Sequence, residues 1–194
     1  MGYWMWLTRY DSAEVAALLD HPHGLGAGLK RLWDVWDDLP TGHGYDPSGS
    51  LRKLEEVETH RAWDALDVLL TGHPNEDYEN LSGEPPARDA VMGGLTMNET
   101  GEGSLLRVPR LLRPDQVRAV DGFLRDLDRD ALIRERHAFL KEVQPYSFEG
   151  WGRQLDGQAE DMVEHGALAR AFDTVRDFYA RAAAGDNAVI KEIF

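Results

Sequence analysis

The chain has 194 residues, no cysteine, and 21 Lys and Arg against 35 Asp and Glu, for a formal net charge of −14. That balance repels the phosphate backbone of nucleic acid and an anionic membrane surface, and without cysteine there is no disulfide frame, thiol nucleophile, thiolate zinc site or iron–sulfur cluster. A hydrophobic content of 42%, with six Trp, six Tyr and six Phe, supplies one core for a single domain over residues 1–194 without a covalent or metal staple.

In chain order, the aromatic-rich Met1 to Tyr10 reads as a strand buried on both faces. Asp11 with Glu14 resembles a capping box and starts a short helix through Val15, Leu18 and Leu19. After the His21 to Gly24 turn, Leu25, Leu29, Leu32, Trp33 and Trp36 keep the spacing of an amphipathic helix ending near Leu39-Pro40, and Pro40 to Ser50 is a loop by composition. Leu51 to Glu58 fits a short strand or a helical turn. Thr59 offers an N-cap to a helix from His60 to Thr71, which Gly72 stops.

The polar, Pro- and Gly-rich stretch from Gly72 to Ala87 is a long connection where the weakest order is expected. Ala90 to Leu95 and Leu105 to Leu112 read as strands, with Pro109 pointing to a sheet edge or bulge. Pro114 opens a helix whose buried face is Val117, Val120, Phe123, Leu124 and Leu127, and Asp128 caps another through Arg136. Leu168, Ala171, Phe172, Val175, Phe178 and Tyr179 mark a long helix that stops at Gly185, and Ala188 to Phe194 reads as a last strand. The expected fold is α+β: a small mixed sheet using both termini, with about five helices packed on it.

The stretch LEEVETHRAWDALDVLLTG, with Trp63, Asp64 and the ending Leu69 to Gly72, resembles the YfbM-like family of uncharacterised bacterial proteins (domain of unknown function 1877). The similarity continues through Asp89 to Gly94, Leu112 to Leu127, Glu142 to Pro145 and the closing helix and strand. It implies an α+β fold and a bacterial source, and it brings no reaction. Family members often carry His where this chain has Asp67, and Tyr where it has Gln144.

At 100° per residue, the helix from His60 puts Trp63, Leu66 and Leu69 on an apolar arc as core anchors. The opposite arc collects His60, Asp64, Asp67 and Thr71. That stripe reads as a solvated helix face; the sharper alternative is a site in which His60 and Asp64 share a proton or hold a divalent metal. Other histidines lie in loops without metal-ligand spacing, so no metal and no cofactor are assigned. Gly24, Gly26 and Gly28 form a GxGxG run that does not follow a strand, and Asp126, Asp128 and Asp130 lack the rest of a calcium loop. No serine sits in a nucleophile elbow.

Arg107, Arg110, Arg113 and Arg118 gather at a strand and the start of the next helix, where they either pair with carboxylates or receive an anion. The acidic excess lies in residues 1–87 and 142–194, and residues 88–141 are close to neutral. Met1 to Leu7 are apolar but lack a basic leader, and no stretch approaches the roughly 20 apolar residues of a membrane span, so the expected address is the cytoplasm. The leading functional expectation is a small acidic interaction protein without catalytic chemistry, an adaptor, inhibitor or immunity-like partner of a basic protein. Its rival is a small-ligand or metal-dependent enzyme built on His60, Asp64 and Asp67.

Overall fold

β1 (Met5–Tyr10) lies inside the sheet because its side chains are apolar on both faces: Met5 and Leu7 point one way, Tyr10 the other, and all three are buried. The computed structural model describes residues 3–37, 51–75, 81–97, 108–149 and 161–193. β1 pairs with β2 (Lys53–Glu58) on one side and β5 (Ala188–Ile193) on the other. β5 continues to β4 (Arg110–Leu112) and then β3 (Leu95–Thr96), giving the order β2-β1-β5-β4-β3. Every pair is antiparallel, so the sheet is not the mixed one expected from the sequence.

Helices cover both faces. On one, Met5, Leu7, Leu112, Val189 and Ile193 pack with α3 (Trp63–Thr71), α4 (Pro114–Asp126), α5 (Arg129–Val143) and α6 (Ala167–Ala184). On the other, Tyr10, Leu111, Ala188 and Ile190 meet Val15 and Leu18 of α1 (Ser12–Leu19) and Leu29 and Leu32 of α2 (Leu25–Asp37). Each fully buried Leu or Phe in these layers contributes about 1.5–3 kcal/mol relative to exposure.

The local signals act as their chemistry requires. The Asp11 carboxylate accepts from the N–H groups of Ala13 and Glu14, Asp128 from that of Ala131, and Gly72 ends α3 in the left-handed conformation at φ 75°. Thr59 makes no side-chain cap: the chain enters α3 through a short 3₁₀ turn, His60–Ala62. Instead of a strand over 90–95, residues Arg88–Ala90 form another 3₁₀ turn, and α5 runs beyond Arg136 to Val143. The loop Pro40 to Ser50, the helix end near Leu39, residues 76–80 of the Gly72 to Ala87 connection, Arg107, and the side chains of Trp33 and Trp36 lie outside the described residues.

Gly28 explains the GxGxG run. A Cβ there would sit 2.2 Å from the carbonyl oxygen of Leu19, so this glycine lets α2 cross against the end of α1. Its role is helix packing.

Candidate functional site

The predicted stripe divides at the start of α3. From Trp63 to Leu70 every residue of this helix is buried, so the expected solvated arc of Asp64 and Asp67 does not exist. The turn after α5 and the chain after Gly72 close over it. Asp64 Oδ2 accepts from the Tyr146 backbone N–H at 2.7 Å, while the Asn75 amide donates to Asp64 Oδ1 (2.8 Å) and Asp67 Oδ2 (3.0 Å). Burial raises both carboxyls, Asp67 to about 7, against the hydrogen bonds from Asn75. Thr71 is also structural: its hydroxyl donates to the Asp67 carbonyl at 2.8 Å and accepts from the N–H of His73 at the helix end. Trp63, Leu66 and Leu69 are the core anchors read from the sequence; Trp63 is 1% exposed, donates Nε1 to the Tyr3 carbonyl and stacks on Tyr146.

Beneath Asp67 lies a set of buried charges that spacing did not reveal. Lys191 donates Nζ to the Asp89 carbonyl at 2.5 Å, and Tyr179 donates to the carbonyls of Asp89 and Ala90. These contacts hold the 88–93 turn, part of the family-like stretch, against the core. Arg110, expected in a surface anion strip, is 4% exposed and faces this interior; burial lowers its pKa, with Asp67 acting in the opposite direction. Arg113 stays exposed at the start of α4, where its N–H donates to Gln116 Oε1. It lines a shallow groove of about 650 Å³ against α1. Arg118 pairs with Asp186. The arginine strip is therefore split between core and surface.

His60 leaves the stripe altogether. Its backbone takes φ 51°, a left-handed conformation unusual outside glycine, and its Nδ1 lies 2.7 Å from Oε1 of Glu58, two residues upstream at the end of β2. The ring meets Trp4 edge to face at 5.5 Å. The predicted His60–Asp64 proton pair is thus replaced by His60–Glu58. This pair lines a pocket of about 420 Å³ between the β2–α3 turn and the N-terminus of α6. The far wall carries His165, Arg170 and Thr174, and Thr59 lies at its base with a buried hydroxyl that has no hydrogen-bond partner among the described residues. The contact is one of proximity: Glu58 Oε1 is buried without a hydrogen-bond partner among the described residues, so the imidazole stands beside a carboxylate oxygen that is still open to a donor.

Glu58, His165 and Arg170 were not singled out from the sequence. Glu58 is the last residue of β2, and His165 and Arg170 lie more than a hundred residues further along the chain, so no local pattern joins them.

Among the described residues, His137, Asp161 and Glu164 come close enough to bind a metal, with ligand atoms within 4.8 Å of one another. Lys141 already supplies a cation there, at 3.1 Å from Asp161 and 2.9 Å from Glu164. Burial pushes the Asp161 carboxyl up, but the Glu164 N–H, His137 and Lys141 together bring it below its usual value. The cluster ties the 161–164 turn to α5.

With its fold and this geometry, the chain belongs to the family described as Domain of unknown function (DUF1877), whose model matches residues 1–191. It is similar over 98% of its length to YfbM from Escherichia coli, a protein of unknown function, at 19% identity and a TM-score of 0.57, covering 99% of that chain. This likeness shows the α+β fold. No curated protein matches the chain. Among the described residues no helix is long and apolar enough to cross a membrane.

Proposed function

We propose that this chain is a cytoplasmic binding protein that takes a small polar ligand in the pocket between the β2–α3 turn and α6, with the His60 ring as one of its contacts. The observation that carries this reading is the His60–Glu58 pair, held by a left-handed backbone at the edge of a 420 Å³ cavity. A strained residue over a pocket costs about 1–2 kcal/mol in folding and persists where the surrounding structure enforces it, which is common at ligand sites. The experiment is a thermal-shift screen of small metabolites, followed by histidine-ring NMR. A ligand that perturbs the His60 ring and loses its effect in His60→Ala supports the reading. Ligands that stabilise wild type and His60→Ala equally overturn it.

A second reading, an acidic adaptor or inhibitor of a basic protein, is favoured by the far end of the other sheet face. There burial and the neighbouring Glu56 push Glu192 up to about 7; Glu56 is already paired with Lys53 at 2.5 Å, so Glu192 is the carboxyl that a cationic partner would relieve. A tagged pull-down from the native extract, eluted with salt, tests it. One stoichiometric basic partner supports the adaptor, and its absence removes that reading.

A further inference from the structure

The wall of the pocket opposite His60 has an electrostatic peculiarity. α6 is an 18-residue helix whose N-cap is Gly166, without a side-chain cap and without an acidic residue in its first turn. One of its first amides, that of Leu168, donates to the Met162 carbonyl at 3.1 Å, and the helix dipole leaves positive character at this end that no acidic side chain of the first turn offsets. A cation is unfavourable at such an end, yet Arg170 folds back over it. Arg170 Nη1 is 3.3 Å from where a Gly166 Cβ would stand, and the guanidinium bonds the carbonyl and Nδ1 of His165 at 3.3 and 3.2 Å. Among the described residues no carboxylate pairs with Arg170. In a chain of net charge −14, a guanidinium over a helix N-terminus without an acid is an arrangement that a ligand would complete.

A second, independent observation lies in the same pocket. Thr59 is 3% exposed, lines the cavity, and its hydroxyl has no hydrogen-bond partner among the described residues. A buried unsatisfied hydroxyl costs about 1–3 kcal/mol, which a bound acceptor would recover.

Resting on the pocket reading above, we propose that its ligand is anionic, with a phosphate or carboxylate group seated between Arg170, the N-terminus of α6 and the Thr59 hydroxyl. The rest of the ligand then extends toward His60, and Glu58 on that side disfavours a second anionic group there. The site selects a molecule charged at one end and hydrogen-bonding at the other. Arg170 supplies the planar fork suited to either oxyanion.

Inorganic phosphate and acetate are the probes, each titrated against chloride at matched ionic strength and followed by amide NMR. Phosphate or acetate should shift the amides of Thr59 and of 166–171 saturably. Arg170→Met should weaken binding at least about tenfold, the loss of a charge-assisted contact. Arg113→Met, at the other exposed arginine beside a helix N-terminus, should leave it unchanged.

No saturable shift at these amides, or binding that survives Arg170→Met but is lost in Arg113→Met, overturns the proposal. Its failure is distinguishable from failure of the pocket reading. A neutral ligand that reports on His60 without involving Arg170 leaves the pocket and removes the anion seat. Anion binding at Arg170 that never perturbs the His60 ring retains the seat and removes His60 from the ligand site.

Discussion

Arg110 and Lys191 stand opposite each other in the β4–β5 register, both buried on the sheet face that carries α3 and α6. Two cations side by side in a core repel each other, and burial, helped by Arg110, pulls Lys191 down to about 7 against the attraction of Asp89 and Asp67. The unfolded chain holds the Lys191 proton up to about pH 10.5. Between about pH 7 and 10.5 the unfolded state therefore binds more protons at this group, and its contribution makes stability rise with pH. Lys191→Met should remove that rise. At pH 7 it should be as stable as wild type or more so, by up to about 2 kcal/mol, because Met replaces a buried charge while Tyr179 still donates to the Asp89 carbonyl. Urea denaturation at stepped pH measures both, and an unaltered alkaline slope would refute the assignment.

The opposite sign applies to Asp67. Its folded pKa of about 7 lies above the usual 3.8, so between those values the folded state holds the extra proton and stability falls as pH rises. Glu192, also raised to about 7, acts in the same direction. Asp67→Asn keeps an oxygen for the Asn75 amide and should flatten the part of this fall that Asp67 causes. The expected gain at pH 7.5 is about 1–3 kcal/mol. A variant less stable than wild type at pH 7.5 would show that the ionised carboxylate is required in the core.

Asp64 answers differently because both of its oxygens are used. Asp64→Ala leaves the Tyr146 N–H and one bond of the Asn75 amide without an acceptor, at a cost of about 2–4 kcal/mol. A large fall in melting temperature is expected, where a solvated site residue would have left it nearly unchanged. Asp64→Asn should recover part of the loss.

The contrast between Asp64 and His60 shows where the sequence was legible. Strand and helix order followed from periodicity and caps: Asp11, Gly72, Pro114 and Asp128 each sit at a helix boundary. The polar arc of α3 misled because helical arithmetic treats a polar face as solvated, and nothing local says that Tyr146 and Asn75, from two other segments, will cover it. The pocket was half legible. His60 stood out by residue type, but its partner depends on a left-handed backbone at the end of β2, and Arg170 and His165 arrive from more than a hundred residues away. Gly28 adds to this: the GxGxG run, set aside because it does not follow a strand, owes its third glycine to a helix crossing. Gly28→Ala should destabilise by about 1–3 kcal/mol through the contact with the Leu19 carbonyl, read by urea denaturation.

His60 allows strain and function to be separated by two substitutions at one position. At φ 51° a non-glycine residue carries backbone strain, so His60→Gly should relieve it, whereas His60→Ala keeps the unfavourable conformation. Both remove the 2.7 Å contact with Glu58 and the edge contact with Trp4. The Ala variant should therefore be less stable than the Gly variant by about 1 kcal/mol, although alanine elsewhere in a chain is the more stabilising of the two. Both should lose the ligand-induced shift in melting temperature to the same degree, since neither has an imidazole. If the alanine variant is the more stable, the left-handed backbone at position 60 is wrong. If both keep the ligand response, His60 sits over the pocket without serving it.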